Sequence, residues 1–393
     1  MKRIAAKYLY PLVSTEPVLN GFVEVEDDGT VIRTGVCADL AEETVFYDGA
    51  IAPGFVNAHC HVELSYLKGQ FRKGTGMAGF IDQINEMRDN KSMEEKVHDL
   101  TVAMDSLWEQ GVVAMADISN CADTFVVKAR HPMYTRTFLE VFGTEPEDCD
   151  AVMEGVLKLK AVAEDFGIDA APTPHACYTM SPELMTAVSV EGLKSGFLSC
   201  HSEDTEEEEE MLKFGSGKMW ENRVKAGMSV PPVTGKSSLR YFIDRLLAGH
   251  PAPFDEHILL VHECCMDQEG IDAAKVVMNH PFVAICPLSN LFIHNALPPI
   301  DLMRRNSLKV CVGTDSLSSN DDLNIVDELF CLQRNFPEVP LGELLTWASR
   351  NGAEFLAKPE FGTLEPGKRP GLVLIDNLDA DGRLTAASKS RRL

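Results

Sequence analysis

Positive charge is scarce in this chain. Its 393 residues include 36 Lys and Arg against 60 Asp and Glu, a net charge of −24, which opposes association with phosphate backbones and anionic lipid surfaces. No nucleic-acid partner is expected. No run approaches 18 consecutive apolar residues, so nothing reads as a membrane span, and Met1 to Tyr10 passes straight into alternation, without the apolar core of a signal peptide. A C-x-x-C pair is missing. The 11 cysteines are an odd, scattered count, and Cys200, Cys286 and Cys311 sit inside apolar strand-like runs, as reduced buried thiols of a cytoplasmic protein do. What is present is ordinary for a folded enzyme: 45% hydrophobic and 24% charged residues, which sets aside collagen-like, coiled-coil and largely disordered readings.

From Arg3 to Tyr47 the chain reads as short alternating strands, Ala6 to Leu9, Gly21 to Val25 and Val31 to Val36, broken by turns such as Asp27-Asp28-Gly29. Beyond Ile51 apolar strand runs alternate with helical stretches. Eight strands are predicted: 51–58, 112–118, 134–141, 168–174, 196–200, 258–261, 282–286 and 310–313. The intervening helices are placed at 80–90, 92–110, 150–166, 181–192, 238–247 and 323–335. Eight βα repeats predict an α/β fold of the TIM-type (β/α)8 barrel. An open doubly wound sheet would carry a Gly-rich turn after its first strand, where this chain has Asn57-Ala58-His59-Cys60-His61. The turn Gly362 to Lys368 leads to an apolar strand, Gly371 to Asp376, so residues 1–50 and 358–393 are expected to form one small β unit beside a barrel of residues 51–357. Ser388 to Leu393 reads as a loose tail.

The strands end in chemistry. Strand one closes on His59 and His61, strand four on His175, strand five on His201, strand six on His262 and strand eight on Asp315. In a barrel these carboxyl ends share one mouth. Two histidines two apart on an extended chain face the same way, and both can reach one metal at about 2.0–2.1 Å. One strand-end histidine is commonly only a hydrogen-bonded core residue; six His and Asp groups at equivalent places in five independent units point to a metal centre. Glu63 shares the face of the pair and is a second-layer partner or substrate contact. Arg136 and Glu140 alternate on strand three and read as a buried ion pair or hydrogen-bonded filling. Trp108 and Trp220 read as packing, and the Gly-rich segment Lys73 to Phe80 as a mobile lid over the mouth.

Ile51 to Ser65 (IAPGFVNAHCHVELS), Gly313-Thr314-Asp315-Ser316 and Gly362 to Arg369 (GTLEPGKR) resemble the metal-dependent amidohydrolase superfamily. Within it the chain is most similar to the methylthioadenosine/S-adenosylhomocysteine deaminase and aminodeoxyfutalosine deaminase group. The resemblance spans the whole chain. It implies a β-sandwich made from both termini and one divalent metal held by His59, His61, His201 and Asp315. Binuclear relatives add a carboxylate or modified lysine at the end of strand four; Pro172-Thr173-Pro174-His175 stands there, so one metal is expected. His and carboxylate donors suit Zn2+ and accommodate Fe2+ or Mn2+. The resemblance further implies metal-assisted hydrolysis, with His262 and Asp315 taking and orienting the proton of a water, and His175 contacting substrate or serving as a core hydrogen-bonding residue. The family's proton-transferring glutamate lies three residues after the strand-five histidine. Here that position is Asp204, preceded by Glu203, and Asp204 is the preferred candidate.

The function expected is a hydrolytic deaminase releasing ammonia from an adenine-type nucleoside, aminodeoxyfutalosine or a methylthioadenosine-like compound. Two readings compete: another amidohydrolase acting on a guanine-like base, a triazine C–Cl bond or a formimino group, and a catalytically silent scaffold. A small-molecule substrate is the expected partner, with no membrane association. The resemblance also implies a homodimer.

Overall fold

A computed structural model describes residues 1–37, 44–88 and 90–393. Six strands drawn from both ends of the chain form one sheet: β1 (Lys2–Leu9), β2 (Val18–Val25), β3 (Val31–Val36), β4 (Val45–Pro53), β13 (Leu372–Asp376) and β14 (Lys389–Arg392), in the order β14-β13-β4-β1-β2-β3. All neighbours run antiparallel except β1 and β4. The two termini therefore do meet in one β unit. Within the expected domain 1–50, positions 38–43 lie outside the described residues.

The other eight strands are β5 (Phe55–Cys60), β6 (Val112–Ser119), β7 (Tyr134–Val141), β8 (Asp169–Pro174), β9 (Phe197–Ser202), β10 (Phe254–His262), β11 (Met278–Ile285) and β12 (Lys309–Val312). They lie in two four-stranded parallel sheets, β5-β6-β7-β8 and β12-β11-β10-β9. Their side chains alternate between two buried faces: Leu259, Val261, Phe282 and Ala284 join an inner cluster with Val56 and Phe138, while Ile258, Leu260, Val283 and Ile285 pack against the helices. Strands buried on both faces read as continuous apolar runs, which is why this part of the chain is legible. The helices Met93–Glu109, Cys149–Asp165, Pro182–Leu193, Ser238–Gly249 and Ile325–Asn335 fall where the apolar periodicity places them. The expected helix over 80–90 begins earlier, at Gly76–Met87; position 89 lies outside the described residues.

Two expectations are corrected. The predicted first barrel strand, 51–58, is two strands: Ile51 to Pro53 pair with β13, and the barrel strand starts at Phe55. Gly54 is the pivot, because a Cβ there would lie 2.4 Å from Val113 Cγ1 and 2.7 Å from the Pro370 carbonyl. The tail is not loose. Lys389–Arg392 pairs antiparallel with β13, and the Arg392 guanidinium lies 3.5 Å from the Trp108 ring centroid. Backbone bonds and a cation–π contact hold this edge strand, and neither leaves an apolar pattern in the sequence.

At the inner floor Phe355 is fully buried and packs its ring against Phe138, Phe197 and Phe282. Phe355→Ala is expected to lower unfolding free energy by about 3–5 kcal/mol through lost burial and a cavity; a denaturant midpoint unchanged from the parent would show that the floor does not carry this load.

Candidate metal centre and active-site cavity

The two parallel sheets are bonded to one another at their carboxyl ends, and the candidate ligands sit at those seams. His59 carbonyl oxygen accepts from the backbone N–H of both Thr314 and Asp315 at 3.1 Å, and His201 N–H donates to His175 oxygen at 2.9 Å. Gly313 makes the first seam possible: a Cβ there would lie 2.7 Å from the His59 carbonyl oxygen and 2.9 Å from His59 Cβ.

The Nε2 atoms of His59, His61 and His201 stand 3.2, 3.2 and 3.4 Å apart, and Asp315 Oδ1 lies 3.7 and 3.6 Å from those of His59 and His61. A tetrahedral site with metal–ligand bonds of about 2.0–2.1 Å has edges of about 3.3–3.4 Å. The four donors fit one divalent ion. The groups behind them fix the donor atoms. His201 Nδ1 donates to the His175 carbonyl at 2.9 Å, which leaves Nε2 as the lone pair. Asp315 Oδ2 accepts from Ser289 and Ser319 hydroxyls at 2.5 and 2.7 Å, leaving Oδ1 for the centre. Burial, reinforced by the neighbouring imidazoles, drives His59 well below its ordinary pKa and His201 down to about 3, so both rings are the neutral form a metal needs. Burial raises Asp315, but His61, His262 and the two hydroxyls outweigh it and hold the carboxyl below its ordinary value.

His262, in a left-handed backbone conformation at φ 76°, turns its ring toward the same centre, 5.8 Å from the His59 ring and 5.4 Å from the His201 ring. Asp204 faces the cavity beside it, with Oδ1 4.0 Å from His262 Nδ1. Glu203 goes the other way. Its carboxyl is fully buried beside Ser237 and Glu263, away from the cavity lining. Burial pushes Asp204 up, yet His262 and His294 outweigh it and hold it below its ordinary value, whereas burial pushes Glu203 up to about 7.

Glu63 lines the cavity and accepts from Asn120 N–H at 3.1 Å and the Cys121 thiol at 3.3 Å; burial pushes its carboxyl up to about 7. His175 also lines it, with Nδ1 2.8 Å from Thr179 Oγ1, so the contact and core readings both describe this ring. Of the two readings for Arg136 and Glu140, the mutual ion pair does not form, and hydrogen-bonded filling describes Arg136. Arg136 sits at the opposite end of β7, bonded to Asp169 at 2.6 Å and Ser195 at 2.7 Å. Glu140 faces the cavity, its Oε1 without a hydrogen bond among the described residues and 3.8 Å from both His175 Nε2 and His201 Nδ1. Alternation put the two on one face; four residues of strand, about 13 Å, separate their ends. Glu140 is thus a site residue that sequence reasoning missed, and its signal was its place at the carboxyl end of strand three.

The cavity has a volume of about 340 Å3 and runs from these donors to an apolar outer wall that includes Met77, Phe80, Ile81 and Ile84. Part of that wall comes from the expected lid segment, which is anchored by Lys73 to Asp321 at 2.5 Å and by Ala78 N–H to Glu207 at 3.0 Å.

Parallel βα units with a metal-donor set at their carboxyl ends define a metal-dependent hydrolase of the TIM-barrel type. The chain belongs to the amidohydrolase family, whose model matches residues 50–391. It is 27% identical over 349 residues to a 5-methylthioadenosine/S-adenosylhomocysteine deaminase of Desulfitobacterium hafniense, covering 86% of this chain and 73% of that protein. Among solved structures it is similar to Helicobacter pylori aminofutalosine deaminase in complex with methylthio-coformycin, with TM-score 0.80 and 24% identity over 98% of this chain and 94% of that one. A Xanthomonas campestris adenosine deaminase with bound zinc gives TM-score 0.75 and 20% identity over 95% and 84%.

His61→Ala is expected to abolish stoichiometric metal binding, and Gly313→Ala, by displacing His59, to weaken it about 10- to 100-fold. Elemental analysis after gel filtration checks both; a metal-replete His61→Ala protein would refute the donor set.

Proposed function

We propose that the chain is a hydrolytic deaminase that releases ammonia from the adenine ring of a nucleoside-like substrate. The observation that carries this reading is the Asp204 carboxyl standing beside His262 in the same cavity as the metal donors. Deamination of a ring amidine needs a carboxyl that can carry a proton to the ring nitrogen, and Asp204 rather than Glu203 faces the place where that ring would lie. The relatives named for methylthioadenosine and aminofutalosine support the same substrate class.

His59, His61, His201 and Asp315 would hold one divalent metal, zinc in this reading, as in the Xanthomonas relative. Such an ion polarises water and lowers its pKa to about 7. The residues do the rest. His262 and Asp315 orient the water, accept one of its protons and return it to the departing amino group, which leaves as ammonia. Asp204, ionised at rest, takes the water's other proton and delivers it to the ring nitrogen. His175, Glu63 and Glu140 are placed to contact the substrate, while Phe80, Ile81 and Ile84 exclude solvent from it. We also read the seams Cys60–Asp315 and Ala176–His201 as closing the eight strands into a barrel that starts at Phe55 and runs to residue 357, with the terminal sheet, whose first part ends at Pro53 and whose second part follows residue 357, folding over as the sandwich. A cytoplasmic homodimer completes the reading, and the buried thiols of Cys60, Cys200, Cys286 and Cys311 accord with it.

The test is ammonia release from purine nucleosides and adenine thioethers, with ultraviolet spectra recorded alongside. An adenine-to-hypoxanthine change is expected, and Asp204→Asn should retain metal while kcat falls by about 10²–10⁴-fold. No turnover by metal-loaded protein, or a loss that follows Glu203→Gln instead, overturns the reading or its proton carrier.

A further inference from the structure

Asp204 is one methylene shorter than the glutamate expected at its position, so its carboxyl depends more on whatever fixes it. Two residues do so, and neither bears on the site when the sequence is read alone. They come from the helix Pro287–Ile293, which follows β11, and from the residue that caps it. Asn290 Nδ2 donates to Asp204 Oδ1 at 3.1 Å, and lies 3.1 Å from His262 Nδ1 as well. One helical turn on, His294 Nε2 approaches the same Oδ1 to 3.3 Å. Residues four apart on a helix lie on one side of it, so the pair forms two prongs. The His294 Nε2 atom is buried, its side chain is 12% exposed, and its 3.3 Å approach to Oδ1 falls within ion-pair distance without hydrogen-bond alignment. Both prongs engage Oδ1, and among the described residues no protein group bonds Oδ2.

We propose that Asn290 and His294 clamp Asp204, with His294 as a positioning residue that holds Oδ1 so that Oδ2 is presented to the substrate. This rests on the reading of Asp204 as the proton carrier. In that role Oδ2 takes one proton from the attacking water and gives one to the ring nitrogen, so the carboxyl ends as it began. His294 stays beside the carboxylate before and after the transfer and fixes where it stands. Holding the carboxyl ionised at rest accords with the imidazoles keeping it below its ordinary pKa.

The test compares steady-state kinetics and metal content of His294→Phe, His294→Gln, Asp204→Asn and the Asp204→Asn/His294→Phe double variant. Misplacing a reacting carboxyl by a fraction of its productive geometry is costly, so His294→Phe should lower kcat about 10- to 100-fold. KM should stay within about threefold, with metal retained. His294→Gln, whose amide nitrogen reaches the Nε2 position, should recover most of the loss, and in the Asp204→Asn background the Phe substitution should cost nothing further. Should His294→Phe fail to fold, His294→Ala with added imidazole decides by rescue or its absence. Unchanged kcat in His294→Phe, no recovery with Gln or imidazole, or an equal loss in both backgrounds overturns the clamp. Full activity in Asp204→Asn overturns the proton-carrier assignment itself.

Discussion

The structure hangs on the backbone junction between the end of β5 and the loop after β12. There the His59 carbonyl takes two N–H donors from residues more than 250 positions later, Thr314 and Asp315. That junction places an imidazole pair from the first barrel strand against a carboxylate from the last. Side-chain bonds reinforce it: Asn57 Nδ2 donates to Thr314 Oγ1 at 2.7 Å, and Thr314 N–H to Asn57 Oδ1 at 3.2 Å. The donor spacing is therefore set by main chain and buried amides, and rotamer choice has little freedom to spoil it. This is how a site on strand ends gains its rigidity.

Around the centre the buried carboxyls divide into two kinds. Glu140, Glu208 and Glu263 are pushed well above the ordinary carboxyl pKa, and Glu328 to about 8, in each case first by burial. Asp204 and Asp315 are equally buried yet held down by imidazoles and hydrogen-bond donors. A neutral buried acid avoids the cost of an unpaired charge, whereas an ionised one requires the partners seen here. Environments that drive neighbouring carboxyls apart in this way assign acid and base roles. The same division keeps the surroundings of the donor set from accumulating negative charge.

The metal-donor pattern was legible because five strand ends carry His or Asp where strand interiors are apolar, a contrast visible without any contact information. The eight strands were legible for the related reason that a sheet buried on both faces is apolar throughout. What escaped the sequence depended on partners distant in the chain. Ile51 to Pro53 and Phe55 to Ala58 are equally apolar, and only the crowding of Gly54 against Val113 and Pro370 shows that they serve different sheets. Glu140 looked paired with Arg136 because alternation gives a face and not a height. Asn290 and His294 belong to a two-turn helix and its cap, whose neighbours are set by the fold, so no periodicity marks them.

The terminal sheet also bears on how the chain is made. β4 leads directly into the barrel, but its partner β13 is translated roughly 300 residues later, some tens of seconds at about 5–20 residues per second. Through that interval one edge of the β1-β2-β3-β4 unit has no partner, and an open apolar edge is a template for pairing with another chain. The nascent protein must therefore shield that edge, or complete the barrel quickly, before its last strands arrive to cover it.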